Sequence, residues 1–183
     1  SRARLRLKNA NPLLMLEAAD WNITPTHFQK STFPRSFHNK FSVIHDGIDT
    51  CLASPKATSS NLQLPNNISL SSADAIVTFV NRTIEPHRGC HTFLRSIPHI
   101  QRSNPHAHIV VIGSTTGVSY GKPAASGSWL NEFLPEIQGQ CDLNKVHFVG
   151  QLSYHQYLSL LNISSCHVYL TYPFVLSWSL LEA

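Results

Sequence analysis

The chain has 183 residues, of which 42% are apolar, which is enough for a well-packed domain and excludes an intrinsically disordered protein. Its net charge of +4 is confined to the start, where Arg2, Arg4, Arg6 and Lys8 lie. The remainder is electrically balanced, so no basic surface for nucleic acid is expected. No apolar run reaches the roughly 18 residues that a membrane-spanning helix needs.

The basic start has two interpretations: a solvated helix face, or a surface for peripheral contact with an anionic membrane or an acceptor. The chain opens on Ser1 without an initiator methionine, and we expect it to be part of a longer protein. Its four cysteines are widely spaced and match no metal-ligand pattern, which favours free thiols in a reducing compartment: Cys51, Cys90, Cys141 and Cys166.

The first part of the chain predicts short helices and strands. Residues 11–19 predict a short helix with Pro12 in its first turn. Residues 41–44 predict a buried strand that ends in His45-Asp46-Gly47. Residues 51–68 are rich in Ser, Pro and Asn, and we expect them to form a mobile linker.

Strands and helices then alternate regularly. Apolar runs predict buried strands at 75–80, 108–113, 146–150 and 167–172. Apolar residues at helical spacing predict helices at 91–101, 129–137 and 154–163. This order predicts an α/β fold with a doubly wound parallel sheet, because parallel strands need crossover helices. Ligands of such sheets bind beyond the carboxyl ends of the strands.

Five sequence blocks in this order resemble the nucleotide-binding, C-terminal half of GT-B-type glycosyltransferases of retaining family 4. They are VIHDGID, FVNRTIEPHRG, IVVIG, VHFVGQLSYHQYLSLL and VYLTYPFVLSWSLLEA. The resemblance covers residues 41–183 and implies a Rossmann-like sugar-nucleotide-binding domain that is incomplete at its C-terminus. Residues 1–40 are then the tail of the N-terminal, acceptor-side domain.

The resemblance also implies roles for charged residues. Family members hold the donor diphosphate with an Arg and a Lys, which correspond here to Arg82 and Arg88, followed by Gly89. These two cations are the expected catalytic groups, since they would stabilise the charge of the departing nucleoside diphosphate without a metal. Glu182 matches the carboxylate that binds the ribose hydroxyls.

Other positions of the implied substrate site are less typical. Where the family has a second Glu, eight residues before Glu182, this chain has Phe174, which leaves the hold on the donor sugar open. Gly47 allows close approach of backbone to nucleotide, and Gln151 is expected to border the base. The helix that begins near Ser177 is expected to direct backbone N–H groups at the phosphates.

The resemblance implies an enzyme that transfers a sugar from a UDP- or GDP-sugar to an acceptor glycan or lipid-linked saccharide, with retention. Cell-envelope polysaccharide synthesis in the cytoplasm, peripheral to the inner membrane face, is the expected setting. No cofactor and no metal ligand are expected. This stretch alone is expected to bind nucleotide without turnover. Two alternatives stay open: a nucleotide-sugar epimerase of the same architecture, and a non-catalytic module that binds a sugar nucleotide or a protein.

Overall fold

The computed structural model describes residues 2–55, 61–173 and 176–183. The chain divides into two compact units. Unit one comprises Ser1–Gly47 with Pro173–Trp178, and unit two comprises Ile48–Tyr172 with Ser179–Ala183. The domain boundary between residues 40 and 41 stays a prediction.

Unit one contains two helices and a pair of short parallel strands. Its elements are α1 (Arg2–Ala18), β1 (Asn22–Thr24), α2 (His27–Thr32) and β2 (Phe41–Val43). The helix predicted at 11–19 in fact begins at Arg2, because Arg, Leu, Lys and Ala are strong helix formers and compensate for Pro12 inside the helix. The strand predicted at 41–44 is confirmed as β2, which pairs with β1 from Phe41 to Val43.

Unit two opens with a small hairpin where a linker was predicted. Strands β3 (Leu62–Leu64) and β4 (Ile68–Leu70) pair antiparallel around a turn in which Asn66 and Asn67 have positive φ angles. Leu64 and Leu70 are buried. The linker prediction was therefore wrong for residues 62–68, because the alternation of Leu and Ile with polar residues outweighs the Ser/Pro/Asn composition. Residues 56–60 of the predicted linker lie outside the described part of the chain.

A four-stranded parallel sheet forms the centre of unit two, with the strand order β7-β6-β5-β8. In chain order the elements are β5 (Ile76–Thr83), α3 (Cys90–Ser103), β6 (His108–Ser114), α4 (Trp129–Ile137), β7 (Val146–Gly150), α5 (Tyr154–Ile163) and β8 (Cys166–Val168). A short helix, α6 (Trp178–Glu182), follows. The predicted parallel α/β sheet is confirmed.

Apolar side chains cover both faces of this sheet. On one face Phe79 and Val111 pack with Phe93 of α3 and Ile137 of α4. On the other face, the residues that alternate with these pack against α5 and the β3–β4 hairpin; this second cluster includes Ile76, Val110, Ile112, Leu160, Leu64 and Leu70. Burial on both faces explains the continuous apolar runs and gives the doubly wound arrangement.

Two strand ends differ from the predicted bounds. Strand β5 continues to Thr83, so that Arg82 lies within the strand rather than after it. The last predicted strand, 167–172, is only Cys166–Val168, because the following residues leave the sheet. The backbone N–H of Tyr172 instead donates to the carbonyl of His87 at 2.9 Å. Across the described residues, no helix is long and apolar enough to cross a bilayer.

Candidate functional site

The carboxyl ends of the four parallel strands lie along one edge of the sheet in unit two. Strand β5 is central there, between β6 and β8. Arg82 lies at its carboxyl end, with an exposed side chain between the buried Asn81 and Thr83. The period of two along a strand fixes this alternation. Arg82 therefore presents a solvent-accessible cation at the edge where parallel sheets bind ligands.

Arg88 is held by a buried carboxylate that the sequence analysis did not single out. Glu85 is fully buried, and its Oε1 lies 3.8 Å from Nε of Arg88. Its Oε2 accepts hydrogen bonds from the backbone N–H groups of Ser119 at 2.6 Å and Tyr120 at 3.1 Å. The Arg88 guanidinium carbon lies 5.2 Å from the centre of the Tyr120 ring. The cation thus lies beside both a carboxylate and an aromatic ring. The planar guanidinium of Arg interacts with both neighbours better than the ammonium of a Lys would.

Two glycines allow the backbone to approach closely at this edge. Gly89 has a φ of 76°, and a Cβ there would clash with Leu170 of the segment after β8. Gly113 lies at the end of β6, where a Cβ would clash with the carbonyl oxygen of Asn81. Only glycine fits either position without displacing a neighbouring segment. The Gly89 that follows Arg88 therefore fixes the turn that carries this cation.

Buried polar atoms without partners occur at the same edge. Within the residues that the structure describes, Asn81 Nδ2, His91 Nδ1 and Thr171 Oγ1 are buried and have no hydrogen-bond partner. They lie near the end of β5, in the first turn of α3 and after β8. Buried polar atoms are normally hydrogen-bonded, so these three atoms are exceptions to the usual pattern.

Glu182 is bound by two tyrosines of α5. The hydroxyl of Tyr154 donates to Oε1 at 2.9 Å, and that of Tyr157 donates to Oε2 at 2.7 Å. Helix α5 is fixed at its start by a reciprocal cap between Ser153 and Gln156. The contacts of Glu182 and Arg88 thus involve different elements of unit two, α5 for the carboxylate and the turn after β5 for the cation.

The carboxylate also affects the ionisation of both tyrosines. The hydrogen bond to Glu182 is the main cause that raises the pKa of Tyr154. Burial is the main cause that raises the pKa of Tyr157, and the hydrogen bond to Glu182 adds to it. Both hydroxyls are therefore protonated at neutral pH and act as donors to the carboxylate.

The remaining predicted site residues have different surroundings. Gln151 is exposed directly after β7, at the edge that also carries Arg82. Gly47 has a φ of 75° and belongs to unit one, as does Ser177. Phe174 lies outside the described residues. The assignment of these residues to one donor site stays a prediction.

Among the described residues, no group of three or more His, Cys, Asp and Glu side chains could hold a metal ion. Cys90 follows Gly89 and is fully buried. Burial raises the pKa of this thiol to about 12, so it is protonated and unreactive at neutral pH.

Comparisons with known proteins agree with this architecture. Residues 1–53 match the family described as "Glycosyl transferase family 4 group". The fold is similar to that in "Crystal Structure of TarM", with a TM-score of 0.56 and 12% identity. The start of the chain is thus similar to a family 4 glycosyltransferase group, and the chain shares its fold with TarM. The match to TarM covers 88% of this chain and 27% of TarM. No curated protein sequence matches it.

Proposed function

We propose that unit two of this family 4 relative binds the nucleoside diphosphate of a sugar donor, UDP- or GDP-linked. The complete protein would transfer the sugar, with retention, to an acceptor glycan or lipid-linked saccharide in cell-envelope polysaccharide synthesis. The observation that carries the proposal is the largely covered Arg88, which lies beside Glu85 and Tyr120 at the carboxyl edge of the sheet. Holding a cation against an aromatic ring and a buried carboxylate prepares it for an anion before the ligand arrives.

The charges of the two arginines suit the departure of a leaving group. When the bond between the sugar and the diphosphate breaks, its electron pair goes to a phosphate oxygen of the nucleoside diphosphate. Arg88 and Arg82 would stabilise that negative charge, and fixed cations cost little reorganisation at that moment. Glu182 would accept hydrogen bonds from the ribose. The roles of Gln151, Gly47, Ser177 and Phe174 remain predictions from the family resemblance.

A titration calorimetry experiment with UDP and GDP tests this proposal. Arg82→Ala should weaken binding by about 1–3 kcal/mol, the range for a hydrogen bond to a charged group. The exposed side chain makes Arg82 the cleaner probe, since removing it leaves no buried partner uncompensated. Arg102, exposed at the opposite end of α3, provides a matched control: Arg102→Ala should leave binding unchanged.

Two results would contradict the donor site. One is the failure of both nucleoside diphosphates to bind; the other is an equal effect of Arg82→Ala and Arg102→Ala. Phe174 favours a second candidate, a non-catalytic sugar-nucleotide module, because the family has a Glu there to contact the donor sugar. Incubation of the complete protein with a donor and an acceptor separates the two, since a non-catalytic module would bind donor and release no nucleoside diphosphate.

A further inference from the structure

The carboxylate of Glu182 receives one phenolic hydrogen bond on each oxygen. Tyr154 and Tyr157 are three residues apart on α5, so their side chains share one side of the helix. Their rings stack with centres 6.0 Å apart and planes 29° from parallel. The two donors therefore form a rigid pair, which we call the tyrosine clamp.

The tyrosine clamp restricts the carboxylate but does not saturate it. A Glu side chain is flexible, whereas a Tyr ring has only two torsions and brings a donor at low entropic cost. An ionised carboxylate can accept about four hydrogen bonds, and the clamp uses two of these. Counting the hydrogen bonds given for the described residues, acceptor capacity on Glu182 remains for two hydroxyl groups of a ligand.

The two tyrosines differ in how firmly they are held. Tyr157 is 9% exposed and packs in the core between α5 and the sheet, whereas Tyr154 is 48% exposed. The shorter hydrogen bond, 2.7 Å, is also that of Tyr157. A buried ring cannot change rotamer without disturbing its neighbours, so Tyr157 defines the position of the carboxylate and Tyr154 adds to it.

We propose that Tyr157, assisted by Tyr154, is a positioning residue that holds Glu182 in the orientation that accepts hydrogen bonds from the ribose of the nucleoside diphosphate. The inference rests on the proposed donor site. It makes a distinct statement, however, because the tyrosine clamp acts on recognition of the ribose alone. The diphosphate would be bound by the arginines, which contact other elements.

The test compares ligands with and without a ribose on the 183-residue chain. Binding of UDP, GDP, the 2′,3′-dideoxy form of whichever of them binds, and inorganic pyrophosphate is measured by calorimetry. Tyr157→Phe removes only the hydroxyl and should weaken the ribose-containing ligand about tenfold, as expected for one charge-assisted hydrogen bond. Affinity for pyrophosphate and for the dideoxy ligand should not change. In a Glu182→Gln background, Tyr157→Phe should have little further effect, because the two residues act as one unit.

Two further variants control for folding. His155 is exposed on α5 between the two tyrosines, and His155→Ala should bind every ligand as the unmodified chain does. Tyr154→Phe changes an exposed hydroxyl of the same clamp and serves as the test variant if Tyr157→Phe does not fold. It should weaken binding of the ribose-containing ligand about threefold.

The outcomes separate this inference from the donor-site proposal. Failure of the unmodified chain to bind either nucleoside diphosphate would overturn both. Normal binding that depends on the ribose hydroxyls, together with no loss in Tyr157→Phe or Tyr154→Phe, would overturn the positioning role alone. Equal losses for pyrophosphate and the ribose-containing ligand would also overturn it, because they would indicate a general structural effect.

Discussion

At the scale of single residues, Arg82 lies near the end of β5 and Arg88 in the turn that follows, and the two differ in burial. The Arg82 side chain is exposed, whereas that of Arg88 is only 14% exposed and faces the fully buried Glu85. A buried charge that loses its partner is costly, because the low-dielectric interior does not solvate it. Both arginines therefore lie at the same edge of the sheet, but removing Arg88 is expected to cost more stability than removing Arg82.

Arg88→Ala should lower the free energy of unfolding by about 3–5 kcal/mol, since it leaves the buried Glu85 carboxylate without its counter-charge. Arg82→Ala should change it by less than about 0.5 kcal/mol, as is usual for an exposed side chain. Urea unfolding followed by circular dichroism measures both. The double variant Arg88→Ala with Glu85→Gln should recover part of the loss. Equal free energies of unfolding for Arg88→Ala and Arg82→Ala would contradict an ion pair between Arg88 and Glu85.

The sequence was sufficient to find the arginines but not the residues that hold them. Arg82 and Arg88 could be identified because they come at the end of an apolar strand. Glu85 could not, because its burial depends on Ser119 and Tyr120, more than 30 residues later in the chain. A Glu between Ile84 and Pro86 was the available signal, and it is equally typical of an exposed turn.

At the scale of elements, a histidine pair joins β6 and β7. Nδ1 of His108 and Nε2 of His147 are 2.9 Å apart, and the rings stack with centres 5.2 Å apart. One of these two nitrogens must accept the hydrogen bond, so the contact requires a neutral ring. Burial is the main cause that lowers the pKa of His147, and the neighbouring His108 lowers it further.

Acidification should therefore destabilise the protein. A folded-state pKa below the unfolded value means that the unfolded chain binds more protons, so the free energy of unfolding falls as pH drops below about 6.5. His147→Gln should reduce this fall between pH 7.5 and 5.5 in urea titrations. Part of the fall in the free energy of unfolding should remain in His147→Gln, because burial also lowers the pKa of His167. The exposed His155→Gln variant should follow the unmodified protein, and an unchanged fall in His147→Gln would exclude the pair as its cause.

Elements with strong periodic patterns were predicted most closely from sequence. The helices Trp129–Ile137 and Tyr154–Ile163 and the strand Val146–Gly150 have the predicted bounds, because the spacing of their apolar residues is regular. The hairpin at Leu62–Leu70 was missed, since each of its strands has only three residues. Its stability comes from packing against α5, about 90 residues later, and local composition cannot predict that contact.

At the scale of the whole molecule, the core of unit two depends on an aromatic stack between the sheet and α3. Phe79 and Phe93 are at most 1% exposed, and their rings stack with centres 4.3 Å apart. Phe93→Ala should lower the free energy of unfolding by about 3–5 kcal/mol, because it removes buried apolar area and leaves a cavity. Thermal and urea unfolding measure the loss. Leu52, 48% exposed, supplies the control: Leu52→Ala should be nearly neutral.

The order of strands in the sheet has a consequence for synthesis on the ribosome. Strand β5 is made first among the four, yet one of its two neighbours, β8, is made last, after β6 and β7. The backbone N–H of Ile76 bonds to Ser165, and Thr78 contacts Ser164 and His167, all more than 80 residues further on. Until those residues have been translated, strand β5 of the nascent polypeptide has one edge without a neighbouring strand. An unpaired strand edge is a template for self-association, which makes this protein a candidate client for chaperones that bind emerging chains.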